Sequence, residues 1–223
     1  MGNTKISRKD GSPAANIFSR FKRPYDIQVY LNKIKYNPDY VTKSPVQVAK
    51  AKTANCFEGA LFAAAALQAL GHKPLIVDLT ADNDDDHVIA IFKQNNRYGA
   101  IAKSNTTTLK FREPVYNSLK ELVMSYFDFY INTLGEKTLR SYSNPVNLSR
   151  FDKFNWITTG EDLEFIGDYL YTIKHHKLLK RNQVRTLSRA DRELIKICFS
   201  SSLKKGLFKP TRRKGLRLSE KQS

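Results

Sequence analysis

From residue 57 to residue 70 the chain is apolar almost all round. A helix without a polar stripe is normally buried in a core. Both ends of this stretch carry helix-terminus signals. Asn55 suits an N-cap, and Glu58 three residues later completes the spacing of a capping box. Gly71 stands where a left-handed residue closes a helix. Three runs of strand length follow, at 74–80, 87–92 and 98–103. An acidic loop at 82–86 and a turn at 93–97 separate them.

The flanking pattern is less uniform. Residues 25–34 place apolar groups at Tyr25, Ile27, Val29, Tyr30, Leu31 and Ile34, a short element of ambiguous period. Pro45 opens a short helix over 45–50, since proline suits a first helical turn. Leu119, Leu122, Val123, Tyr126, Phe127 and Tyr130 recur at three- and four-residue spacing, which predicts an amphipathic helix over 116–133, ended by Gly135. A loop is expected over 144–152 and a short strand over 154–157 around Trp156. A helix capped by Thr158 or Thr159 is expected from 161 to about 175, with His175 and His176 at its C-terminus. A last short helix ends at Phe199.

Charge divides this pattern into three parts. The chain has 223 residues and a formal net charge of +17. Residues 1–25 carry +5 and residues 177–223 carry +12, which leaves 26–176 neutral. Residues 1–24 therefore read as a basic arm, 25–199 as one domain, and 200–223 as a basic disordered tail. The tail holds too few large apolar groups to offset the entropy of ordering. It suits weak contact with nucleic acid or an anionic surface. Two cysteines are too few for a disulfide scaffold and fit a reduced, cytoplasmic setting. No apolar signal region follows Met1, and no segment is long and apolar enough to span a bilayer. The run Asp82, Asp84, Asp85 and Asp86 lacks the spacing of a calcium loop and reads as a solvated turn. His175 and His176 are adjacent, so on a helix they point apart and make a weak metal pair.

The candidate chemistry lies in the central stretch. Cys56 sits in the first turn of the buried helix, where free backbone N–H groups and the helix dipole stabilise a thiolate. His87, at the head of a strand, is the nearest plausible base. A third group would fix the imidazole tautomer, but no Asp or Glu lies between His87 and Glu113. The polar candidates are Ser104 and Asn105. Strand alternation favours Ser104, which shares a face with Ala100 and Ala102. Chemistry favours Asn105, whose amide oxygen can accept from an imidazole N–H.

The motifs Asn55-Cys56-Phe57-Glu58-Gly59-Ala60, Asp85-Asp86-His87-Val88 and Tyr98-Gly99-Ala100-Ile101-Ala102-Lys103-Ser104-Asn105 together resemble the transglutaminase-like superfamily. Segments 112–116 and 135–143 resemble an uncharacterised bacterial group within it. The resemblance covers about residues 45–170. It implies an α+β fold with a papain-like core, the cysteine-bearing helix packed on an antiparallel sheet. It also implies a cysteine-dependent amide hydrolase or acyltransferase acting on a protein or peptide, with no cofactor and no metal. The superfamily usually carries an Asp after the histidine strand, and here Asn105 or Ser104 would stand in for it. The alternative is a transglutaminase-like binding protein without turnover, whose basic ends hold an acidic partner.

Overall fold

The computed structural model of the chain describes residues 13–39 and 41–211. In chain order, α1 (Pro13–Phe18) and α2 (Pro24–Lys33) lead into β1 (Lys35–Tyr36). Then come α3 (Pro45–Ala51), β2 (Thr53–Ala54) and the central helix α4 (Cys56–Ala69). The strands β3 (Leu75–Ala81), β4 (His87–Gln94), β5 (Arg97–Ile101) and β6 (Arg112–Tyr116) follow. After α5 (Leu119–Met124) the chain forms β7 (Leu139–Ser143), β8 (Val146–Asn147), α6 (Glu164–Thr172) and β9 (His175–Lys177). It finishes with α7 (Arg181–Arg185), α8 (Arg192–Phe199) and a 3-10 turn at Lys204–Gly206.

The molecule is mixed α+β. Its main sheet is antiparallel, in the order β6-β5-β4-β3-β7-β9, with β8 added on β3. A separate parallel pair, β1 with β2, lies just before α4. Alternation along β4 sends its side chains to two cores. Val88, Ala90 and Phe92 pack with α4 and the N-terminal helices, whereas Ile89 and Ile91 pack on the opposite face with Leu122, Tyr126 and Tyr130. With a helical layer on one side and the α5 region on the other, β4 is buried on both faces. That explains its nearly continuous apolar run. Among the described residues no helix is long and apolar enough to cross a membrane.

Several expectations change. Residues 13–24 of the expected arm are ordered: α1 forms, and Phe18 and Phe21 are 1% and 3% exposed. Their rings meet Phe62 of α4 edge-on at 5.3 and 6.1 Å. The basic composition of the arm hid two aromatic anchors. Residues 1–12 lie outside the described residues.

The amphipathic helix over 116–133 is really strand, helix and turn. It stops at Met124 because Arg112 reaches in from β6 and donates to Ser125 Oγ at 2.9 Å and to the Ser125 carbonyl at 3.2 Å. A 3-10 turn at Phe127–Phe129 then keeps Tyr126 and Tyr130 pointing inward. Residues 154–157 form no strand; Trp156 is buried and donates its indole N–H to Asp152. The helix expected from 161 starts later, at Glu164, where Asp162 accepts from the Glu164 N–H. It ends at Thr172, so His175 and His176 lie on β9 instead of at a helix C-terminus.

If Phe18 is a core residue and not part of a loose arm, Phe18→Ala should destabilise the protein by roughly 3–5 kcal/mol. Chemical denaturation would measure it. An unchanged unfolding midpoint would mean that residues 13–24 are dispensable.

Candidate active site

The N-terminus of α4 is held by a buried carboxylate. Glu58 has no exposed surface. It accepts from the Asn55 N–H at 2.8 Å, the Lys43 N–H at 3.0 Å, the Lys43 ammonium at 3.2 Å and the Asn37 amide at 3.0 Å. Asn55 returns the bond by accepting from the Glu58 N–H, which closes the capping box that the sequence predicts. The next residue, Gly59, lies against Lys103 just past the end of β5, where a methyl group would overlap the Lys103 Cβ. Glycine thus lets the helix approach the sheet closely enough to set Cys56 beside the start of β4.

Cys56 is the first residue of α4 and is half-buried. Its thiol contacts the Asp86 carbonyl at 3.9 Å. His87 is buried, and its Nε2 lies 3.1 Å from the Leu109 carbonyl. A carbonyl can only accept, so Nε2 carries the hydrogen and the neutral ring keeps its lone pair on Nδ1. The ring sits on the sheet face opposite α4, edge-on to Tyr130 with centroids 6.4 Å apart. Both residues nevertheless line one cavity of about 740 Å³, because they stand at the end of the sheet where the two faces meet. No hydrogen bond joins the thiol to the imidazole.

Burial sets the protonation of both groups. It pushes the Cys56 thiol up to about 11; the Val88 backbone N–H opposes this, and the Asp85 charge adds to it. The helix terminus does not win here, contrary to the thiolate expected from the sequence. Burial pulls His87 down to about 4, opposed by its bond to Leu109 and helped by the Arg112 charge. At neutral pH the site therefore holds a thiol and a neutral imidazole.

Ser104 and Asn105 line the same cavity, but neither bonds His87. They lie past the end of β5, where strand alternation no longer applies. Ser104 Oγ pairs with the Thr106 hydroxyl at 2.9 Å and accepts from the Thr106 N–H. Asn105 is occupied by the C-terminal segment. Its Oδ1 accepts from the Leu203 N–H at 2.8 Å, and its Nδ2 donates to the carbonyls of Leu203 and Gly206 at 3.0 and 2.9 Å. The group that orients His87 is the Leu109 carbonyl, which no side-chain pattern announces.

The segment 200–211 thus departs from the disordered tail that composition suggests. Low apolar content is offset here by hydrogen bonds to the body, and residues 212–223 lie outside the described residues. The acidic loop is ordered as well. The Thr138 hydroxyl donates to Asp84 at 2.7 Å, the Ala81 N–H donates to Asp86 at 2.7 Å, and the Tyr130 hydroxyl donates to the Asp85 carbonyl at 2.8 Å. Burial raises the Asp84 carboxyl to about 6. Among the described residues no group of three or more His, Cys, Asp or Glu side chains is arranged to hold a metal ion. The two adjacent histidines diverge. His175 pairs with Asp78 across β7 at 3.0 Å, and His176 reaches Asn144 at 2.7 Å.

No family model matches this chain, and a comparison with curated proteins finds no match.

Two predictions follow from this geometry. Gly59→Ala should cost about 1–3 kcal/mol through overpacking against Lys103, read as a lowered melting temperature; a neutral substitution would contradict the close approach. His87 should titrate near pH 4 by NMR of its ring C–H signals. Its folded value lies below the ordinary 6.5. The stability it contributes is therefore complete above about pH 6.5 and is lost as pH falls toward 4. Asp84, raised from 3.8, works in the opposite direction over the range 6 to 3.8. A His87 midpoint above 6 would mean that the ring is hydrated.

Proposed function

We propose that this protein is a cysteine-dependent acyl-transfer enzyme with a transglutaminase-like, papain-like core, acting on an amide or acyl carbon of a protein or peptide. The observation that carries the reading is the shared cavity. Cys56 at a helix N-terminus and His87 with a free Nδ1 line the same space, and Nε2 is committed to Leu109. In the reaction His87 Nδ1 takes the Cys56 proton, and the sulfur adds to the carbonyl carbon. The backbone N–H of Cys56, which has no partner within the helix, is one donor for the resulting oxyanion. The tetrahedral intermediate collapses to a thioester as His87 returns the proton to the leaving amine. Water or an amine then attacks the thioester, again losing its proton to His87.

The Leu109 carbonyl takes the orienting place that an Asp or Asn side chain holds in a triad. Hence Asn105 and Ser104 are not part of the proposed catalytic group. A second reading has its own support. The thiol held protonated by burial suits a binding protein without turnover, in which the basic ends contact an acidic partner.

A peptide bearing a thiol-directed electrophile separates the two. Enzyme chemistry predicts modification at Cys56 in preference to Cys198, its loss in Cys56→Ser, and a fall of about 10²-fold or more in His87→Gln. Equal rates in the parent protein and His87→Gln would remove His87 as the base and favour the binding reading.

A further inference from the structure

The segment that follows α8 runs across the mouth of the cavity. It starts where the Thr107 hydroxyl meets those of Ser200 and Ser201, at 3.1 and 2.9 Å. The Ser202 hydroxyl donates to the Asn105 carbonyl at 2.7 Å, and the Asn105 side chain grips Leu203 and Gly206. The far end is held by Asn83, whose Oδ1 accepts from the Thr211 N–H at 2.9 Å and whose Nδ2 donates to the Thr211 carbonyl at 3.0 Å. Asn83 belongs to the loop before His87, and Asn105 to the loop after β5. The strap therefore bridges the two loops that flank the site. Between the anchors, Lys205, Gly206, Leu207 and Phe208 line the same cavity as Cys56 and His87.

The way the strap is held is informative. Asn105 binds only main-chain atoms of Leu203 and Gly206, at the two ends of a 3-10 turn, so its grip is independent of side-chain identity. At Gly206 the fit is close: a methyl group there would lie 2.8 Å from the Tyr36 ring. Lys205 enters a lining that includes Asp39, Asp84 and Asp85 and forms no ion pair with a described acid. Residues Lys204–Gly206 form a single 3-10 turn, with the Gly206 N–H bonded to the Leu203 carbonyl at 3.0 Å, so the site is a groove that reads the main chain of a turn and has room for no side chain at one position.

We propose that residues 203–208 are an intramolecular occupant of a polypeptide-binding groove, which accepts a turn-forming segment of another chain, with glycine at the Gly206 position, once the strap has left. This deepens the acyl-transfer reading and rests on it for the chemistry, though not for the binding. The strap is then both lid and pseudosubstrate. Its departure opens the cavity that Cys56 lines, so opening the groove and admitting water to the nucleophile are one event. That coupling reconciles a catalytic arrangement with a thiol that is protonated while the strap is seated.

The test uses the full chain with Gly206→Ala, and separately Asn83→Gly, which removes the far anchor while tolerating the backbone φ of 64° at that position. Each variant is treated with iodoacetamide at neutral pH, and Cys56 and Cys198 are resolved by peptide mapping. Hydrogen exchange reports independently whether 203–208 has been released. A synthetic peptide with the sequence of residues 200–211 is then added in trans. The proposal predicts labelling of Cys56 faster by about tenfold or more in the released variants, since access scales with the open population. It also predicts protection by the added peptide, and no protection by the same peptide carrying Gly206→Ala. Unchanged Cys56 labelling in a variant whose strap exchanges freely would overturn it, as would a lack of protection in trans. Faster labelling and protection by peptide, without any acyl turnover, would retain the groove and remove the enzyme reading. Acyl turnover equal in all three proteins would do the reverse.

Discussion

The arrangement of this molecule depends on one buried charge. A carboxylate with no access to water is costly unless its oxygens are fully engaged. Glu58 meets this condition only when three pieces of chain converge on it: Asn37 after β1, Lys43 ahead of α3, and Asn55 at the start of α4. The same convergence seats the parallel β1–β2 pair and fixes where α4 begins. Cys56 is the first residue of that helix, so its position follows from the needs of a side chain two residues away.

A second constraint ties the helix to the sheet. Gly59 brings α4 against Lys103, and Lys103 sends its ammonium to the Leu31 and Ile34 carbonyls at 3.0 and 2.6 Å. Those carbonyls lie at the C-terminal end of α2, where a cation satisfies groups left without helical partners. Gln28 of α2 pairs with both main-chain groups of Ala102, at 2.9 and 3.0 Å, in the manner of an added strand. The loop that carries Ser104, Asn105 and Leu109 thus departs from a clamped point. Leu109 then meets His87 from one side while Asn105 holds the strap on the other. The histidine is oriented by backbone, which leaves Asn105 available for a different partner.

The central helix and the strands around it were legible because burial is written directly in their residues. The capping box, the apolar run and Gly71 marked α4 to within a residue at each end, and the β3–β5 runs were visible as short apolar segments. Periodicity failed at 116–133. There the aromatic spacing was real, but Arg112, on the strand just before the helix, ends it by donating to the Ser125 carbonyl. Composition failed at both ends. A count of charges cannot show that Phe18 and Phe21 find a pocket on Phe62, or that Thr107, Asn105 and Asn83 hold residues 200–211. Cys56 and His87 stand out in the sequence by position and type, and the structure places them in the lining of one cavity without a hydrogen bond between them. The orienting carbonyl of Leu109 was not recoverable, since every residue has one. The thiol was misjudged because the helix dipole is visible in a sequence, whereas the desolvation that outweighs it is not.

The resting molecule in this account is closed: a thiol rather than a thiolate, a neutral imidazole, and a strap in the lining of the cavity they share. Thiols react with alkylating agents as thiolates, so the pH dependence of the rate reads the ionisation of the group directly. The most direct measurement is therefore the rate of alkylation at Cys56 in the full chain across pH 6 to 12, resolved from Cys198 by peptide mapping. The account predicts a rate that climbs through the alkaline range with a midpoint near the value of about 11 set by burial. A rate already at its plateau at neutral pH would show a preformed thiolate and contradict the closed resting state.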